Sequence, residues 1–67
     1  MKHNWTWTDL VPGREIITHN GNVGRIIGRT KDELIVKFAT YKTIESKDAC
    51  MEDNFQLLEE VQTYEEV

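Results

Sequence analysis

The chain has 67 residues, one cysteine and a formal net charge of −4, with 30% of its residues charged. At that length it forms one domain that buries only about 60% of the surface its unfolded form exposes, which excludes a second site-bearing unit. One thiol excludes an internal disulfide, and the acid excess argues against binding that works mainly by neutralising phosphates.

The net charge hides an uneven distribution. Residues 1–31 carry five bases against two acids, a net of +3, whereas residues 32–67 carry three bases against ten acids, a net of −7. A local basic patch around Arg25 and Arg29 therefore remains compatible with an acidic chain. No apolar run approaches the ~18 residues of a membrane span, and the start MKHNWTWT lacks the apolar core of a signal peptide. A lone thiol suits a reducing compartment, so a soluble, cytoplasmic protein without a membrane partner is expected.

In chain order, Trp5 and Trp7 alternate with Asn4, Thr6 and Thr8, a period of two that predicts a strand with both indoles on one face. Such a pair either covers an open end of the core or forms a recognition platform. Pro12-Gly13 turns the chain into a first strand, Arg14 to Thr18, which ends at the hairpin signal Asn20-Gly21. The second strand, Val23 to Arg29, is interrupted by Gly24 and Gly28, which marks a bulge or a close backbone approach. Alternation puts Ile26 in the core and sends Arg25, Ile27 and Arg29 outward. A polar turn leads to the third strand, Glu33 to Phe38, with Leu34, Val36 and Phe38 inward and Ile35 and Lys37 outward.

Tyr41 to Glu45 reads as a fourth strand. Ser46 is an N-cap candidate, and Ser46 to Val61 admits one amphipathic helix. Asn54, however, falls where that stripe needs an apolar residue. The pattern instead predicts one helical turn over 47–51 and a closing strand from Phe55 to Val61, followed by an acidic tail at 62–67.

Pro12-Gly13, Ile16, Gly21, Gly24 and Ile26, followed by Val36 and Phe38, resemble the pattern of KOW-type and related SH3-like small barrels, including Tudor-like modules. Asn54-Phe55-Gln56-Leu57-Leu58-Glu59 is similar to the last turn and closing strand of such barrels. The resemblance spans Leu10 to Val61. It implies a mainly β, five-stranded antiparallel barrel over 10–61 with no enzymatic activity. The aromatic segment at 1–9, outside the resemblance, is expected to pack on or beside that barrel. RNA-binding members are usually basic, and the acidic second half departs from that.

Reaction chemistry has little to stand on. His3, His19 and Cys50 lack metal-ligand spacing, Ser46 and Cys50 lack an adjacent base, and the glycines match neither a phosphate loop nor a dinucleotide fingerprint. No metal or cofactor is expected. Surface character is left, and it points to a non-enzymatic module binding a protein partner through Trp5, Trp7, Arg25, Ile27, Arg29 and Tyr41. The alternatives are nucleic-acid binding in the KOW manner and capture of a small anion at a homo-oligomer interface.

Overall fold

In the computed structural model, which describes residues 3–58, five antiparallel strands form between the turn residues. They are β1 (Glu15–Ile17), β2 (Val23–Arg29), β3 (Glu33–Lys37), β4 (Lys42–Ser46) and β5 (Gln56–Leu57), with helix α1 (Lys47–Glu52) before β5. The fold is mainly β with one short helix, as expected. The tail at 62–67, and the part of the expected closing strand beyond Leu58, lie outside the described residues.

Local chemistry sets each boundary. Gly21, at φ 91°, closes the β1–β2 loop by donating to the Thr18 carbonyl at 2.9 Å, a conformation that glycine adopts without steric cost. Thr30 Oγ1 accepts from the backbone amides of Asp32 and Glu33 and so tightens the β2–β3 turn. Ser46 Oγ accepts from the Ala49 amide at 3.1 Å and caps α1, whose first turn carries Asp48 beside the positive end of the dipole. The helix stops at Asp53, which is extended, so Ser46 to Val61 is not one helix.

The strand order is β4-β3-β2-β1-β5. Among the described residues no ladder joins β4 to β5, so the sheet is open and the expected barrel closure is corrected. The reason lies at the outer edge of β5. There Asn4 Nδ2 donates to the Leu57 carbonyl (3.1 Å) and the Leu57 amide donates to Asn4 Oδ1 (2.8 Å). One side-chain amide thus takes the place of a neighbouring strand.

Alternation puts Ile16, Ile26, Leu34, Val36 and Leu57 on the concave face, where Trp5, Leu10, Phe38, Cys50 and Phe55 complete the core. Leu10 and Ile26 are fully buried, and burying a large aliphatic side chain stabilises by about 1.5–3 kcal/mol. The opening segment is not a strand. A 3₁₀ turn at Trp7–Asp9 breaks the alternation there, begun by Asp9 Oδ2 accepting from the Thr6 amide at 2.9 Å. The two indoles therefore do not share one exposed face.

A second correction concerns β2. Arg25 stands opposite Lys37 and Ile26 opposite Val36, but Gly28 rather than Ile27 faces Ile35, and Arg29 faces Leu34. The extra residue is a β-bulge, and beyond it every side chain changes face. Arg25 stays outside. Arg29 does not.

The two strand glycines serve different ends. A Cβ on Gly24 would lie 2.7 Å from Phe38 Cε1 and 2.7 Å from Val36 Cγ1, so glycine is what lets the Phe38 ring lie against β2. Gly24→Ala should destabilise the fold by about 1–3 kcal/mol in urea titration, and a loss under about 0.5 kcal/mol would show that the ring does not pack there.

Burial pushes the Cys50 thiol up to about 11, helped by the Glu45 and Asp53 carboxylates, so the folded chain holds it protonated. Iodoacetamide at pH 8 should label the folded protein about 100-fold more slowly than the urea-unfolded chain, since the thiolate is the nucleophile. Between pH 9.0 and about 11 the unfolded chain sheds this proton and the folded chain keeps it, so stability should fall as pH rises through that window. Equal labelling of both states would contradict the burial.

Candidate functional site

The convex face of the sheet is built by the residues that alternate with the core. Across it runs a row of directly opposed residues, Glu15 on β1, Arg25 on β2, Lys37 on β3 and Lys42 on β4. Arg25 Nη2 lies 3.4 Å from Glu15 Oε2 with both side chains largely exposed, a pairing that water weakens to a small contribution. The row holds three cations and one carboxylate, and it sets Lys37 and Lys42 face to face.

Apolar side chains flank this row. Ile17 opposes Val23 on one side, and Ile35 opposes Ile44 on the other, with Ile27 beside them at the bulge. Between the hairpin tips and the row lies an open trough. One part, of about 370 Å³, is lined by Glu15, Val23, Arg25, Ile27 and Lys37. A second part, of about 510 Å³, lies among Gly21, Asn22 and Tyr41. The two share Val23, Phe38 and Ala39, so they are continuous. Tyr41 stacks on Phe38 with ring centroids 4.8 Å apart and keeps 49% of its surface exposed.

The structure distributes the six expected residues over four places. Arg25 and Ile27 share the trough, and Tyr41 stands at its far end. Trp5 is only 4% exposed. It stacks on Phe55 at 4.7 Å and donates its indole N–H to the Phe55 carbonyl at 2.9 Å, so it belongs to the core and not to a surface platform. Trp7 is half-buried. Arg29, turned by the bulge, lies over its ring at 5.3 Å and donates to its carbonyl, and Lys47 Nζ is 5.8 Å from the same ring. Arg29 is thereby tied to the 3₁₀ turn rather than offered beside Arg25.

Val23, Phe38 and Lys42 lie outside the expected set. Val23 shares Arg25's face by the period of two, and Lys42 falls opposite Lys37 once the turn after Phe38 is counted, so both carried a sequence signal. Among the described residues no three His, Cys, Asp or Glu side chains gather as a metal site, and no helix is long and apolar enough to cross a membrane.

Comparison with known proteins finds no matching family model, no matching curated sequence and no matching solved structure.

The unequal burial of the indoles is directly measurable. Trp7→Phe, which leaves Trp5, should give blue-shifted emission resistant to acrylamide, a neutral quencher indifferent to Arg29 and Lys47. Trp5→Phe, which leaves Trp7, should give redder and more readily quenched emission. Equal quenching of the two variants would refute the division.

Proposed function

We propose that this chain is a small, non-enzymatic protein-binding module whose convex face takes an extended, acidic peptide segment with interspersed apolar side chains. The observation that carries this reading is the trough itself. It sets Val23, Ile27 and Tyr41, each between 44% and 49% exposed, against Arg25 and Lys37, with Lys42 next in the row. Exposed apolar side chains grouped with cations suit a partner that brings both apolar and acidic groups. A trough running along pleated strands suits an extended chain, whose successive side chains point alternately toward and away from the surface.

The resemblance to SH3-like modules supports the same reading through the five antiparallel strands it implies, although the sheet is open where the resemblance implies a barrel. A single-stranded nucleic acid is the rival occupant, because an exposed tyrosine beside cations is a stacking platform. The small local cation surplus and the acid-rich second half favour a peptide. A small anion would want several buried donors converging on one point, and an open trough is a poor frame for that.

The test is a ¹⁵N-resolved titration of the full chain with three probes: a synthetic peptide alternating Glu with Val and Tyr, the same peptide with Lys for Glu, and oligouridylate. The acidic peptide should shift the amides of Val23, Arg25, Ile27, Lys37 and Tyr41, the lysine peptide should not, and Arg25→Glu should weaken the binding about tenfold. Shifts confined to other residues, or oligouridylate binding more tightly with a steep salt dependence, would overturn the reading.

A further inference from the structure

The two edges of the sheet are finished differently. Leu57 on β5 has its outward N–H and C=O engaged by the Asn4 carboxamide. At the two ends of β4, Tyr41 O accepts from Phe38 N and Lys47 N donates to Asp32 O, so the odd-numbered residues between them point their backbone groups at β3. Antiparallel alternation then turns those of Lys42, Ile44 and Ser46 away from the sheet. Among the described residues no strand pairs with that edge. β4 contains neither proline nor a bulge, two of the usual guards of an exposed edge. At its centre Ile44 is 63% exposed, more than the other exposed large hydrophobic residues of the described chain.

We infer that β4 is a homodimer edge, on which two copies of this chain join by antiparallel pairing about a two-fold axis through Ile44. The register follows from parity. Opposed residues in a continuous sheet share a face, so the axis passes through a residue, and centring it on Ile44 sets Lys42 opposite Ser46 of the other copy. Ile44 then exchanges N–H and C=O bonds with its counterpart, and the Ser46 amide donates to the Lys42 carbonyl on each side. The Ser46 carbonyl, at the helix cap, is left to the first turn of α1. On the convex face, Ile27, Ile35 and Ile44 of each copy merge into one apolar band.

Charge fixes the choice of a second copy over an unrelated strand. Within one chain Lys42 faces Lys37, and Ser46 faces Glu33. In the paired register Lys42 looks across the small Ser46 of the other copy to its Glu33. The two backbones are about two strand spacings, roughly 10 Å, apart, which a lysine and a glutamate side chain together span. The dyad repeats this contact, so each unfavourable Lys37–Lys42 juxtaposition gains a carboxylate. The inference rests on the edge of β4, and of the proposed peptide face it uses Lys42 and Ile27 alone.

Edge pairing buries little area, so the dimer is weak and is sought up to about 1 mM by sedimentation equilibrium of the full chain. The 7.9 kDa monomer should approach twice that mass. Ile44→Lys should weaken association about tenfold or more while circular dichroism stays unchanged, since Ile44 is exposed in the monomer. Lys42→Glu and Glu33→Lys should each weaken it and the double exchange should restore it. Ile44→Cys should oxidise rapidly to a covalent dimer, because a hydrogen-bonded antiparallel pair has its Cα atoms about 5.5 Å apart, within disulfide reach. Val23→Cys, equally on the convex face but far from the axis, should not. A monomer at every concentration would overturn the inference. So would a dimer indifferent to Ile44→Lys, or cross-linking of both cysteine variants at equal rates.

Discussion

The contact on which the fold depends is the clasp between Trp5 and Phe55. These residues are 50 apart in sequence, and closing a loop of that length costs about 3.5 kcal/mol plus a constant, before any contact compensates. Burying the two aromatic side chains contributes about 1.5–3 kcal/mol each, and their stacking adds about 0.5–1.5 kcal/mol. The gain exceeds the loop term by a few kcal/mol at most, which suits a chain without disulfide support. The two-residue ladder of β5 would not persist alone; it persists because Trp5 holds Phe55 and Asn4 holds Leu57.

From that clasp comes the inequality of the two edges. The N-terminal segment crosses to β5, so one margin of the sheet is finished by side chains and the other ends at β4. Among the described residues one margin is closed and the other has no partner strand, unlike a barrel, in which neither is exposed. The concave face is filled by Trp5, Leu10 and Cys50 from outside the sheet, which removes the need for further curling to bury Ile26 and Leu34. Closure is replaced by covering.

How legible each element was in the sequence depends on its physics. Leu34 and Val36 alternate with Ile35 and Lys37 because β3 is buried on one face, and a half-buried strand writes that period directly. The end of β4 was equally plain, since an N-cap serine such as Ser46 satisfies only amides on its C-terminal side. Trp5 and Trp7 were ambiguous, because two aromatics spaced by one residue read alike in a strand and in a segment that coils after Thr6. The resolving signal was Asp9, three residues beyond Thr6, an acceptor placed to start a turn. Gly24 and Gly28 look identical in sequence. Their partners across the ladder separate them, the Phe38 ring over the first and Ile35 opposite the bulge at the second, and sequence alone does not hold that information.

The bulge has an electrostatic consequence. With unbroken alternation Arg25 and Arg29 would both stand on the convex face beside Lys37 and Lys42, a denser cationic strip, and Trp7 would lose the guanidinium that lies over its ring. One extra residue at Ile27 sends Arg29 to the 3₁₀ turn, where it ties the end of β2 to the N-terminal segment. The row left on the convex face is Glu15, Arg25, Lys37 and Lys42, a surplus of two positive charges in a chain of net charge −4. Tracking a nucleic-acid backbone takes about one cation per neutralised phosphate, and affinity then rises steeply as salt falls. A surplus of two set among Val23, Ile27 and Tyr41 is instead what the proposed short segment with a few acids and apolar side chains calls for.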